Sequence, residues 1–326
     1  MSAVAIPTLP AAPAVVGPEF DFVDEVRWDQ VRGAGFGGRT RPVLVKGAVT
    51  AWPAWERWSF ERFADLRTPD GSEPHAEFYT GLLEQGATRE IFTAPIGPYM
   101  RDLDRASRRP RRRDVGLLSD DRRARLGGGS GFRLDWSYLT TFAPDRVYLS
   151  QWPVLREFPE LRSDFAIRRL WPGSRLTWEF AFVGPANTVT GLHHDDSNNW
   201  FCQVRGTKEV LLFGPAQTRH LSPGRKFDWG TTLSDTDITR LANRSRPSVA
   251  FDRARGLYAR VEAGDALFIP KRWWHAVVAM EPSISLAVFG LTPAEVVIDG
   301  GISELKHLLH LLRLYRWGNC TCHKSR

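Results

Sequence analysis

Between residues 190 and 213 the sequence runs TGLHHDDSNNWFCQVRGTKEVLLF, which sets two histidines and two aspartates at the start of a β-rich run. In a strand, side chains two apart share a face, so His193 and Asp195 converge while His194 and Asp196 point the other way. Two histidines and one carboxylate on one face leave coordination positions open, an arrangement suited to non-haem Fe(II) chemistry. His193 is one of the two histidines needed. Of the others outside the motif, His75, His220, His307, His310 and His323 fall in expected loops or a terminal helix. His275 differs, because GDALFIPKRWW places it where a strand has ended in a proline turn and the next strand begins. His193, Asp195 and His275 are therefore the candidate metal ligands. His194 and Asp196 are left for solvent, or for Asp196 to accept a hydrogen bond from a ligating histidine.

The elements that must hold these residues are short strands. From Tyr148 onward apolar runs alternate with turn signals, in LTWEFAFVG, NWFCQV, KEVLLFGP, LYARVEAGDALFIP, WWHAVVAM and SISLAVFG. Strands at this pitch predict a mainly β fold, a sandwich or barrel, with flanking helices. Upstream, RPVLVKGAV (41–49) predicts a strand and WPAWERWSFERFADL a helix, from its apolar spacing of three and four. Residues 1–20 are expected to be a disordered arm, 21–300 the domain, and 301–326 a helix and tail. Within the domain, the arginine-rich stretch 101–131 holds few core candidates and ends in glycines, so a mobile insertion is expected. The stripe in ISELKHLLHLLRLYRW (302–317) predicts a C-terminal helix that either packs on the barrel or forms a two-fold homodimer contact. Trp273 and Trp274 are expected in wall and core.

A chain of 326 residues can bury a substantial core without staples. The net charge of +7 is local, since 101–125 carries ten arginines against five aspartates and leaves +2 for the rest. Those aspartates, and the absence of interleaved aromatics, make that stretch a solvated loop rather than a nucleic-acid surface. Three cysteines (Cys202, Cys320 and Cys322) without zinc spacing point to a reducing, cytoplasmic compartment. No apolar run reaches the ~18 residues of a membrane span. The terminal Cys320-Thr321-Cys322-His323 is expected to be a frayed tail.

Three segments carry a resemblance: TGLHHD, the following NWFCQVRGTKEVLLF, and AGDALFIPKRWWHAV. Together they resemble the jumonji-C, or cupin-like, Fe(II)- and 2-oxoglutarate-dependent oxygenases over roughly residues 40–290. Around the metal motif the sequence is most similar to the hydroxylase branch, represented by the asparaginyl hydroxylase of hypoxia-inducible factor. The resemblance implies a double-stranded β-helix (cupin, or jelly-roll) core, with iron on His193, Asp195 and His275. It also implies 2-oxoglutarate and O2 as co-substrates. Lys208, Thr190 and Tyr148 match the positions that hold the far carboxylate of 2-oxoglutarate, and Asn199 matches an asparagine near the co-substrate. One position departs from the pattern: where the last core strand often carries an asparagine, this chain has Ala287, leaving Ser285 as the candidate substitute. The implied activity is hydroxylation of a C–H bond in a peptide, a protein or a small molecule, with release of succinate and CO2. An RNA hydroxylase, or a cupin-like binding module without catalysis, is the alternative.

Overall fold

The computed structural model describes residues 17–31, 39–80, 90–109, 115–142, 146–171, 176–241 and 250–320. Its strands are β1 (Glu19–Phe22), β2 (Asp24–Arg27), β3 (Val43–Lys46), β4 (His75–Tyr79), β5 (Ile91–Pro95), β6 (Leu149–Trp152), β7 (Leu176–Gly184) and β8 (Val189–Asp195). They continue with β9 (Asn198–Arg205), β10 (Lys208–Phe213), β11 (Thr231–Leu233), β12 (Arg255–Val261), β13 (Ala266–Ile269), β14 (Trp274–Ala279) and β15 (Ser283–Leu291). One sheet has the order β1-β12-β10-β14-β8-β11 and the other β2-β3-β13-β9-β15-β7-β6, with β4 and β5 forming a separate hairpin. From β7 to β10 and again from β12 to β15, strands successive in sequence alternate between the two sheets, as in the expected double-stranded β-helix.

Alternation along the strands divides the apolar residues into three layers. Val210, Leu212 and Val277 of one sheet meet Phe201, Leu267 and Ile269 of the other in the inter-sheet core. Leu211, Phe213, Ala276 and Val278 face outward, where they are covered by Leu117, Leu118, Phe132, Trp136 and Leu139. Trp200, Cys202, Leu286 and Val288 form the opposite outer layer with the helices around Phe60, Phe63 and Met100. The expected helix at WPAWERWSFERFADL is two short ones, Pro53–Arg57 and Phe60–Ala64, because Ser59 breaks the run and caps the second by accepting from the Arg62 amide.

Two expectations are corrected. β1 begins at Glu19 and Phe20 is 1% exposed, so ordered chain reaches into the segment assigned to the arm; residues 1–16 lie outside the described ones. The described parts of 101–131 are not a mobile insertion. Leu103 is buried at the end of the helix Ile96–Ser107, Leu117 and Leu118 are fully buried, and Asp120–Leu126 is a helix capped by Ser119. A buried ionic cluster fastens this stretch to the sheet. Glu209 accepts from Arg260 at 2.9 Å, from the Tyr258 hydroxyl at 2.7 Å and from the Leu117 amide at 2.9 Å. Arg260 also donates to the Leu118 carbonyl and to Asp120.

Truncating one member of such a pair strands the other charge. Arg260→Ala is expected to destabilise the fold by about 3–5 kcal/mol, read from the urea unfolding midpoint. Deletion of 115–126 is expected to prevent soluble folding, whereas a solvated loop in either place would leave the midpoint unchanged.

Candidate functional site

β8 and β14 are antiparallel neighbours with His193 directly opposite His275, and their rings lie 4.2 Å apart. Asp195, two residues along β8, places Oδ2 at 3.6 Å from His275 Nε2. The three side chains each offer one ligand atom, all within 4.8 Å of one another. Both imidazoles are fixed from behind. His193 Nδ1 is 2.8 Å from the Gly191 carbonyl and His275 Nδ1 is 3.0 Å from the Trp273 carbonyl. A carbonyl only accepts, so each Nδ1 carries the proton and each Nε2 keeps its lone pair for a metal. Burial, with His193 beside it, pushes His275 down to about 4 and keeps it neutral. The Thr231 hydroxyl donates to Asp195 Oδ1 at 3.0 Å, which turns the other oxygen toward the histidines. This donor set fits a divalent metal.

The other half of the motif faces outward as the strand period requires. His194 meets the Trp274 ring edge-on at 4.7 Å, and burial lowers its basicity. Asp196 is not the outer acceptor for a ligating histidine, because backbone carbonyls already fill that role. Trp273 and Trp274 are buried wall and core as expected.

A cavity of about 690 Å³, its open mouth included, leads from the triad between the sheets. Lys208, Thr190, Tyr148 and Asn199 all line it. Lys208 is 1% exposed and its Nζ has no hydrogen-bond partner; it lies 5.3 Å from the Phe201 ring centre and 5.8 Å from that of Tyr148. Desolvation lowers its pKa to about 7. The turn that delivers it depends on Gly206, at φ +73°, where a Cβ would sit 2.3 Å from the Pro282 carbonyl oxygen. The Tyr148 phenol is hydrogen-bonded to the Thr190 side chain, and burial raises its pKa. Tyr148 fits only because residue 184 is glycine, since a Cβ there would meet its ring at 2.5 Å. Asn199 is 4% exposed with an unpartnered Oδ1. A buried, unpartnered lysine in a cavity also lined by hydroxyl and amide side chains fits a carboxylate ligand.

Ser285 is a correction. It does not line the cavity: it pairs with Gln203, one step past Ala287 and Phe289, and its hydroxyl donates to Gln203 Oε1 at 2.7 Å. Other lining residues left no sequence signal. Thr231 opens the short strand β11 and Asp228 lies in the loop before it, a stretch without a motif, and Gln151 lines the cavity in a left-handed conformation, φ 55°. Cys322 and His323 of the terminal Cys-Thr-Cys-His lie outside the described residues.

The profile of the family described as "Cupin-like domain" matches residues 32–289. Among curated relatives, the Jumonji C domain-containing protein 5 of Drosophila melanogaster is 31% identical over 145 residues, 43% of this chain and 35% of that protein. The lysine-specific demethylase 8 of Xenopus tropicalis is 29% identical over 255 residues, 76% of this chain and 47% of that protein. The tRNA wybutosine-synthesizing protein 5 of Gallus gallus is 28% identical over 136 residues, 42% of this chain and 41% of that protein. The chain thus spans between a third and a half of each of these relatives.

Alanine at His193, Asp195 or His275 is expected to abolish high-affinity Mn(II) binding, measured by titration calorimetry of the metal-stripped protein. His194→Ala, on the opposite face, is expected to leave that affinity within a few-fold of wild type. Equal losses at all four positions would place the metal elsewhere.

Proposed function

Because the chain belongs to the cupin-like domain family, we propose that it is an Fe(II)- and 2-oxoglutarate-dependent dioxygenase. The reaction we assign is hydroxylation of a C–H bond, in an amino-acid side chain of a peptide or protein or in a small metabolite, with release of succinate and CO2. The observation that carries this reading is the His193-Asp195-His275 set at one end of a cavity whose wall holds the unpartnered Lys208 ammonium. Iron with 2-oxoglutarate supplies O2 activation, the chemistry no side chain of the chain can perform. His193, Asp195 and His275 would hold the metal, while Lys208 would pair with the far carboxylate of the co-substrate. Thr190 and Tyr148 would donate hydroxyl hydrogen bonds, and Asn199 would orient the nearer end. The apolar wall of Phe182, Phe201, Ile269 and Val277 excludes water from the reacting atoms.

Hydroxylation at the metal, as in the branch around the asparaginyl hydroxylase, is the outcome we favour over removal of an N-methyl group. Both begin at a C–H bond. Incubation with 2-oxoglutarate and candidate peptides or metabolites should yield succinate and a product heavier by one oxygen; loss of a methyl group would select demethylation. Absence of succinate across substrates, with metal bound, would favour a binding module. A reducing, cytoplasmic compartment suits the buried thiol of Cys202.

Lys208 gives the reading a pH signature. The free amine titrates near 7, so above that pH a carboxylate must draw a proton from solution to restore the charge. Below about 7 the proton is already in place. Binding of 2-oxoglutarate at pH 8 is therefore expected to take up a proton, read by calorimetry in buffers of different ionisation enthalpy, with affinity falling as pH rises. Lys208→Met is expected to abolish the uptake and to weaken binding by about 3–5 kcal/mol while sparing the metal.

The C-terminal helical unit supports a second-copy contact. Thr292 caps its start, and Val297, Ile298, Ile302, Leu305, Leu312 and Leu314 are all exposed, Val297 to 76%. A patch of this kind on a helical end is the pattern of a two-fold interface. Light scattering is expected to give twice the chain mass, and Leu305→Glu with Leu312→Glu to halve it. A wild-type monomer would overturn the dimer.

A further inference from the structure

The metal-binding carboxylate is held by two segments that are not part of its own strand, and both are gripped by the C-terminal unit. The first is the loop before β11. Thr231, the first residue of the strand this loop leads into, donates to Asp195 Oδ1, and the Gly230 carbonyl accepts from the Asp196 amide at 2.8 Å. Phe227 of the same loop stacks on the fully buried His310 at 4.2 Å and donates its amide to the Asn319 carbonyl at 2.8 Å.

The second is the turn before β14. Arg272 donates its amide to the Asp195 carbonyl at 2.7 Å, and it does so from a left-handed conformation, φ 64°. A non-glycine residue holds that conformation only when its surroundings enforce it. The group that bonds the side chains of this turn is Asp299. It is 9% exposed, accepts from Lys271 Nζ at 2.5 Å through one oxygen and from Arg272 Nη2 at 3.0 Å through the other. Glu295 completes the grip, bonding Lys271 at 3.0 Å and the Asn198 side chain at 3.2 Å. Asp299 sits in a single π-helical segment, Val296–Gly300, a rare geometry that tends to mark functional positions.

We propose that Asp299 is a positioning residue for the metal site, holding the Lys271-Arg272 turn so that Asp195 is presented at a fixed angle to His193 and His275. The inference rests on the metal site assigned above. Asp299 touches neither metal nor substrate and acts through the Arg272 backbone amide. Without its carboxylate the left-handed turn relaxes, the Asp195 carbonyl loses its donor, and the end of β8 gains freedom.

The test uses Mn(II) and Co(II) alone on the metal-stripped full chain. Asp299→Ala is expected to weaken Mn(II) binding by about 10–100-fold, the usual scale for residues that orient ligands, and to change the visible Co(II) absorption band. Arg272→Gly removes the side-chain grip while easing the φ 64° backbone, and its side chain is 56% exposed, so it keeps the question open even if Asp299→Ala fails to fold. It is expected to shift the Co(II) band in the same direction. A merely structural role would lower the unfolding midpoint but leave the spectrum of the folded protein alone. Wild-type Mn(II) affinity and a wild-type Co(II) band in the folded variants would overturn the proposal. Failure of the wild-type chain to bind either ion would instead remove the metal site itself.

Discussion

The site depends on the register between β8 and β14. His193 stands opposite His275, and Asp195 reaches the same face because it lies two residues further along β8. A slip of one residue in either strand would send its ligands to the outer layer. The sheet blocks that slip from both sides. β14 is paired along its length with β10, β8 is closed on its far side by β11, and an irregularity between His275 and Val277 ties the pairing to one alignment. Ring orientation is settled just as locally, since each imidazole donates to a carbonyl two residues earlier in its own chain segment. The histidine geometry therefore rests little on long flexible side chains.

This local character is why the triad was legible in the sequence. A period of two selects His193 and Asp195 from four adjacent candidates, and a proline turn singles out His275. The alternating runs likewise announced β7 to β10 and β12 to β15. What stayed hidden depends on partners distant in sequence. Leu103, Leu117 and Leu118 are few apolar residues among arginines and aspartates, a pattern without periodicity; Leu103 packs in the layer around Phe63 and Met100, and Leu117 and Leu118 are fastened by the ionic cluster on Arg260 and Glu209. Ser285 shares a strand face with the cavity wall but lies one rung too deep, a distinction that alternation does not make. Thr231 and Asp299 carry no motif at all, because their roles consist of reaching Asp195 and the Lys271-Arg272 turn from elsewhere in the chain.

Adjacent residues of β10 show how the fold separates stability from ligand recognition. Lys208 and Glu209 are both ionisable and both buried, and the strand sends them to opposite faces. Glu209, outward, receives a guanidinium, a phenol and a backbone amide, so its desolvation is compensated from within the protein and the 115–120 segment is fixed in return. Lys208, inward, receives only the faces of two aromatic rings. Its fall from the ordinary lysine value of 10.5 to about 7 corresponds to roughly 5 kcal/mol between the charged and neutral forms. That is a large fraction of the stability of a typical domain, so the protein alone accommodates the charged form poorly. The cost falls when an anion enters the cavity and restores the charge. In the proposed function, the same strain would favour a ligand with a carboxylate at that depth over neutral molecules of the same shape.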